Sequence, residues 1–147
     1  TNSAASSLSR LADMGIETYL LGDAVVGVIA QRLVRRLCSC KQEYDPTPEE
    51  WNIIGERTAT AKIFKPCGCP QCNETGYKGR IGVYEILPIT NAVKRLVSKG
   101  ASAEEIQDKA LEEGMSTLRM SAARLVKEGI TSIEELMRIA YSNEDMT

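Results

Sequence analysis

The spacing of apolar positions along the chain changes twice. Over the first 22 residues it is helical: Leu8, Leu11 and Ala12 share one face, Asn2 or Ser3 is placed to cap, and Gly15 ends the segment. Ile16–Gly22 gives a second short helical piece, with Glu17 in its first turn where a carboxylate suits the helix dipole. Val25–Leu37 is rich in β-branched residues but also carries Leu33 and Leu37 at helical spacing. It is assigned to a strand, because Arg80–Leu87 (R-I-G-V-Y-E-I-L) is a second β-rich run able to pair with it. The expected unit is a hairpin with a long insertion at its tip.

Within that insertion, Thr47-Pro48-Glu49-Glu50 combines a capping box with proline at the first helical position, so a short helix should follow. Ala59–Phe64 is expected to add a short strand. Beyond Pro88 the pattern is helical throughout. Thr90 caps Asn91–Ser98, which Gly100 stops, and Ser102-x-x-Glu105 opens a helix running to Glu113. Ser116 or Thr117 starts the next, with Leu118, Ala122, Leu125 and Val126 inward and Gly129 at its end. Thr131-x-x-Glu134 opens the last, through Leu136, Met137 and Ile139. Met14, Met115, Met120 and Met137 are expected to fill core space, and Ser142–Thr147 to fray. The fold class that results is α+β.

Composition narrows the choice. One Phe and one Trp in 147 residues leave the core to Leu, Ile, Val and Ala, which suits helices better than a sandwich of sheets. A net charge of −2 with mixed signs gives no electrostatic footprint for nucleic acid. No apolar run is long enough to cross a bilayer, and the first residues have no basic region followed by an apolar one. The chain begins at Thr1 without Met, as a segment cut from a longer protein would.

The five cysteines carry the candidate chemistry. Cys38 and Cys40 lie in L-C-S-C-K, and Cys67, Cys69 and Cys72 in K-P-C-G-C-P-Q-C. An odd count in two tight clusters argues against a disulfide framework and for a reducing compartment. Two thiol turns separated by a linker have the layout of a structural metal site, and without histidine a closed site must be all thiolate. Cys38, Cys40, Cys69 and Cys72 are assigned as ligands, with Cys67 spare or in place of Cys40. The competing reading is that Cys38 and Cys67 are small buried hydrophobes and no metal binds. Zinc is preferred, with an iron tetrathiolate of the rubredoxin kind as the alternative. A bound zinc would contribute on the order of 10 kcal/mol to local folding.

C-P-Q-C-N-E-T-G-Y-K-G-R-I-G-V-Y-E-I-L resembles the zinc-knuckle signature of the hexameric ATPases that drive type IV pilus assembly and type II secretion. The likeness runs along nearly the whole chain. It includes Thr1–Ala5, Asp13–Glu17, Leu20-Leu21, Val28–Cys38, Gly114–Leu118 and Gly129–Glu135. The resemblance implies three parts: residues 1–37 as the closing part of a RecA-like ATPase core, 38–79 as a tetracysteine zinc insertion, and 80–147 as a return strand with a four-helix C-terminal subdomain. Here C-S-C stands where the family has C-x-x-C. No G-x-x-x-x-G-K-[ST] phosphate loop or Walker-B-like acidic strand end occurs either. ATP and Mg would therefore belong to the parent protein, and no catalytic residue is assigned.

The implied partners are the rest of the ATPase chain, neighbouring subunits of a homohexamer and inner-membrane platform proteins. The implied location is cytoplasmic and peripheral to the inner membrane, with no nucleic acid and no membrane insertion. Arg32 and Arg80 are candidate subunit contacts; singly, each basic residue of Arg32, Arg35, Arg36 and Arg80 also reads as the solvated edge of a strand. The glutamates of the late helices, Glu134 and Glu135 among them, read as caps and solvated surface. The reading from another class is a free-standing zinc-knuckle adaptor for a protein or single-stranded nucleic acid.

Overall fold

The computed structural model describes residues 3–55 and 62–142. The chain is mixed helix and strand and divides into two compact units. One unit comprises the residues up to Ala30 together with Tyr84–Thr117, and the other Gln31–Val83 with Leu118 onward.

In the first unit, α1 (Ala4–Asp13) and α2 (Thr18–Ala24) pack on α4 (Asn91–Ser98) and α5 (Ala103–Glu112). Ser3 is the cap, its Oγ accepting the Ser6 N–H at 3.1 Å, while Asn2 lies outside the described residues. The next free donor of that helix end, Ala4 N–H, bonds at 2.7 Å to Oε2 of Glu85, a buried carboxylate on the return strand. Thr90 and Ser102 cap α4 and α5 as their sequences indicate, accepting N–H groups from Val93 and Glu105. Ala4, Ala5, Leu8, Leu21, Val93, Val97, Ile106 and Ala110 are the buried residues between these four helices.

The second unit holds two antiparallel ribbons, one nested inside the other. The inner ribbon pairs β2 (Gln42–Tyr44) with β3 (Ile63–Lys65), Glu43 standing opposite Phe64. Its tip carries α3 (Pro48–Ile54), opened by the Thr47–Glu50 capping box and tied back by Tyr44 Oη, which donates to Glu50 at 2.6 Å. The outer ribbon pairs β1 (Gly27–Leu37) with β4 (Tyr77–Pro88), and both strands continue from one unit into the other. Its sense is antiparallel, since Cys38 N–H bonds Gly76 O at one end and Ile89 N–H bonds Val26 O at the other. Strand formation by both β-rich runs agrees with the sequence. Of the strand expected over 59–64, only Ile63-Phe64 belongs to β3, and 59–61 lie outside the described residues.

The four late helices all form, but they divide. Whereas α4 and α5 pack with α1 and α2, α6 (Leu118–Lys127) and α7 (Ile133–Ser142) pack on each other and on α3. The split follows their apolar faces, Leu118, Ala122 and Val126 of α6 being buried with Leu136 and Ile139 of α7. Of the methionines, Met115 is buried, but Met14 and Met120 are exposed. Met14 directly follows α1 as its C-cap, and Met120 lies on the face of α6 opposite its apolar stripe. The expected fraying of the tail concerns residues beyond the described ones.

The start of α7 corrects the sequence reading. Its first helical residue is Ile133, so the cap is Ser132, whose Oγ accepts the Glu135 N–H at 3.3 Å, and not Thr131 paired with Glu134. Glu135 is not solvated surface: it is 1% exposed. Its carboxylate accepts from Arg35 Nε at 3.0 Å, from Arg35 N–H at 2.8 Å and from Arg138 at 2.9 Å. Burial pushes its pKa up, but the hydrogen bonds from Arg138 and from the backbone and side chain of Arg35 outweigh burial and hold it below the ordinary value. Arg35 in turn lies over the Tyr77 ring, 4.0 Å from its centroid, so this exposed strand residue is paired as well as solvated.

Removing this carboxylate takes away the acceptor of the Arg35 N–H and of the Arg35 and Arg138 guanidinium groups. Glu135→Ala is expected to cost about 3 kcal/mol, the scale for breaking a buried charge pair, read as a lowered midpoint in urea. A carboxylate whose folded pKa is depressed contributes stability above its unfolded pKa and loses it as pH falls through the folded value. Wild-type stability should therefore drop on acidification through and below the usual glutamate range, and Glu135→Gln should show a smaller drop over the same window.

Candidate metal centre

The two ribbons meet end to end, and the chain crosses from one to the other twice. The first crossing, between β1 and β2, contains Cys38 and Cys40; the second, between β3 and β4, contains Cys67, Cys69 and Cys72. Antiparallel pairing on either side forces the crossings to face each other, which brings together thiols about thirty residues apart in sequence. The Sγ atoms of Cys38, Cys40, Cys69 and Cys72 all lie within 4.8 Å of one another. Cys38 and Cys72 are buried, Cys40 and Cys69 half-buried, and Cys67 is exposed and outside the group.

Distances within the group fit a tetrahedral thiolate site. Sγ of Cys69 is 3.7 Å from those of Cys38 and Cys72, and Cys40 is 3.9 Å from Cys72. Four sulfurs at the usual zinc–thiolate length of ~2.3 Å have edges of ~3.8 Å. With the short C-S-C spacing, Cys38 and Cys40 each make a close pair across the crossings, Cys38 with Cys69 and Cys40 with Cys72.

Backbone N–H groups point at the sulfurs, as thiolates require. Cys72 Sγ accepts from Cys69 and Gly76, each at 3.2 Å, and Cys40 Sγ from Gly68 at 3.4 Å. The Cys69–Cys72 turn is a single 3-10 turn (Pro70–Cys72) followed by two left-handed residues, Asn73 and Glu74. Gly76 then adopts φ +82, where a Cβ would run into the Pro66 ring and stand 3.1 Å from Cys67 N. Only glycine lets the return strand pass this close to the second turn.

The sulfurs do not titrate alike. Burial raises the Cys72 thiol, but the N–H groups of Gly76 and Cys69 and the neighbouring sulfurs bring it down to about 6. Cys38 is also lowered, chiefly by the backbone N–H of Cys40. Cys40 receives the Gly68 N–H, yet burial and the other three sulfurs push it up to about 12. Like charges so close cannot all develop unaided, and a divalent cation is the group that relieves this conflict.

Arg32 is half-buried on β1 and Arg80 exposed on β4; neither belongs to the sulfur group. Three side chains beside the group were not legible as site residues. Lys41 donates to Gly129 O at 2.7 Å, Tyr77 Oη shares a 2.6 Å bond with Ser132 Oγ, and Glu135 holds Arg35. The available signal was the overlap of Ser132-x-x-Glu135 with Thr131-x-x-Glu134. The described residues include no helix long and apolar enough to cross a membrane.

Comparison with known proteins agrees with the resemblance. Residues 1–138 match the family described as "Type II/IV secretion system protein". The chain is 41% identical over 143 residues to the type IV pilus assembly ATPase TfpB of Acinetobacter baylyi, covering 95% of the chain and 24% of that protein. It is 40% identical over 141 residues to the type IV pilus assembly ATPase PilB of Thermus thermophilus, covering 93% of the chain and 16% of the relative. Against the type II secretion system ATPase E of Vibrio cholerae it is 38% identical over 141 residues, 95% of the chain and 28% of the relative. The chain thus spans less than a third of the length of these relatives. By this match, which takes in both crossings and the helices on either side, the chain belongs to the type II/IV secretion system protein family.

Proposed function

We propose that this chain is a non-catalytic segment of an ATPase that powers type IV pilus assembly or type II protein secretion, braced by a structural zinc. The observation that carries the reading is the all-sulfur tetrahedron at the junction of the two ribbons, in a chain of the secretion family. The residues proposed to hold the ion are Cys38, Cys40, Cys69 and Cys72. When bound, zinc supplies charge neutralisation and a crosslink between the two crossings, with no open position for chemistry. Nothing else in the group could act as a nucleophile or general base, so its work is mechanical.

On this reading residues 1–37 close the RecA-like core of the parent, 38–79 form the zinc insertion, and 80–147 the return strand and C-terminal helices. ATP and Mg bind elsewhere in the parent. The segment packs against the rest of its own chain and against neighbouring subunits of a homohexamer, with Arg32 and Arg80 as contacts. The assembled motor sits in the cytoplasm, against inner-membrane platform proteins.

Elemental analysis of the purified chain should give about one zinc per polypeptide, and incubation with ATP and Mg should give no turnover. Less than a small fraction of an equivalent of metal, or measurable hydrolysis, would contradict the corresponding half of the proposal. Among single variants, Cys40→Ser and Cys72→Ser should lose the metal while Cys67→Ser keeps it. Gly76→Ala, which leaves every sulfur in place, should weaken zinc retention about ten-fold in competition with a chromophoric chelator.

A further inference from the structure

The short turn between α6 and α7, Gly129–Ser132, contains no metal ligand, yet two of its carbonyls and both of its hydroxyls bond to residues at or near the ends of the crossings. Lys41, next to Cys40, donates from Nζ to Gly129 O at 2.7 Å. Leu37, next to Cys38, donates its N–H to Ile130 O at 2.9 Å. Thr131 Oγ1 donates to Arg35 O at 2.7 Å, and Ser132 Oγ pairs with Tyr77 Oη at 2.6 Å. Tyr77 follows Gly76, whose N–H bonds Cys72 Sγ and whose carbonyl accepts the Cys38 N–H.

One turn therefore holds the first crossing through Lys41 and the strand ends that adjoin both crossings, Arg35 and Leu37 on β1 and Tyr77 on β4. Thr131 and Ser132 are no more than 1% exposed, so strand ends that moved away would leave the buried Thr131 hydroxyl without its acceptor and take from Ser132 its bond to Tyr77. The fit is also close. Gly129 has φ +78, and a Cβ there would stand 2.8 Å from the Phe64 ring, over which Lys41 Nζ lies at 4.5 Å from the centroid.

We propose that the α6–α7 turn is the outer support of the metal centre, with Lys41 as its positioning residue, so that metal occupancy and docking of the α7 start are thermodynamically coupled. Coupling of this kind is reciprocal: whatever holds the turn on the crossings strengthens metal binding, and metal binding holds the turn. The inference rests on the proposed zinc reading. It goes further in assigning the helical pair as the element that senses whether the site is filled.

The test uses the full chain, zinc-loaded and after chelation, with amide hydrogen exchange followed by mass spectrometry. Chelation should speed exchange in peptides covering 130–136 about ten-fold or more, alongside the crossings themselves. In parallel, Lys41→Ala should release zinc to a chromophoric chelator about ten-fold faster than wild type, and Lys41→Arg, which keeps a donor, should restore much of the difference. Fast exchange confined to residues 38–41 and 67–76, with 130–136 unchanged, would overturn the coupling while leaving the zinc site intact. So would wild-type release from Lys41→Ala. A wild-type chain that takes up no zinc would overturn the underlying metal reading, and the coupling with it.

Discussion

Four thiols brought to one point from two distant stretches of chain are the constraint on which the second unit depends. Neither ribbon is large enough to stand on its own. Two-stranded sheets are marginal in water, and the inner ribbon pairs only three residues on each side. The crossings between ribbons lack regular backbone pairing of their own, so something must hold them face to face. The four thiols meet where the crossings face each other, and a shared ion there would hold them together.

Two buried carboxylates fasten the outer ribbon to helices, one in each unit. Glu85 on β4 accepts the first N–H of α1, and Glu135 on α7 takes the side chain and the backbone of Arg35 on β1. Glu135 is taken out of water where several donors meet it, the condition under which burial of a carboxylate is tolerable, and Glu85 where it accepts the Ala4 N–H. Within each unit a carboxylate thus fastens the ribbon to a helix, and in the second unit the ribbon ends at the four grouped thiols.

What could be read from the sequence was what is decided locally. The caps at Thr47, Thr90 and Ser102 depend on residues three positions apart, and the sulfur pairs on turns of a few residues. The Cys69-x-x-Cys72 turn could be argued from its spacing, while sequence left open whether Cys67 replaces Cys40; the group in the structure contains Cys40. What could not be read depends on partners far along the chain. Nothing near Glu135 announces that Arg35, a hundred residues earlier, will cover it, and that ion pair draws the helix start one residue beyond the Thr131 signal. The division of the late helices between two units depends in the same way on which faces α1, α2 and α3 present. Met14 and Met120 show that helical spacing alone does not bury a side chain.

The claim that most of this depends on is that all four donors of the ion are sulfur. Zinc K-edge X-ray absorption on the purified chain tests it directly. The account predicts a single shell of four sulfur neighbours at about 2.3 Å. A shell containing nitrogen or oxygen donors in place of one or more sulfurs would show that the tetrahedron formed by Cys38, Cys40, Cys69 and Cys72 is not the site, and would contradict it.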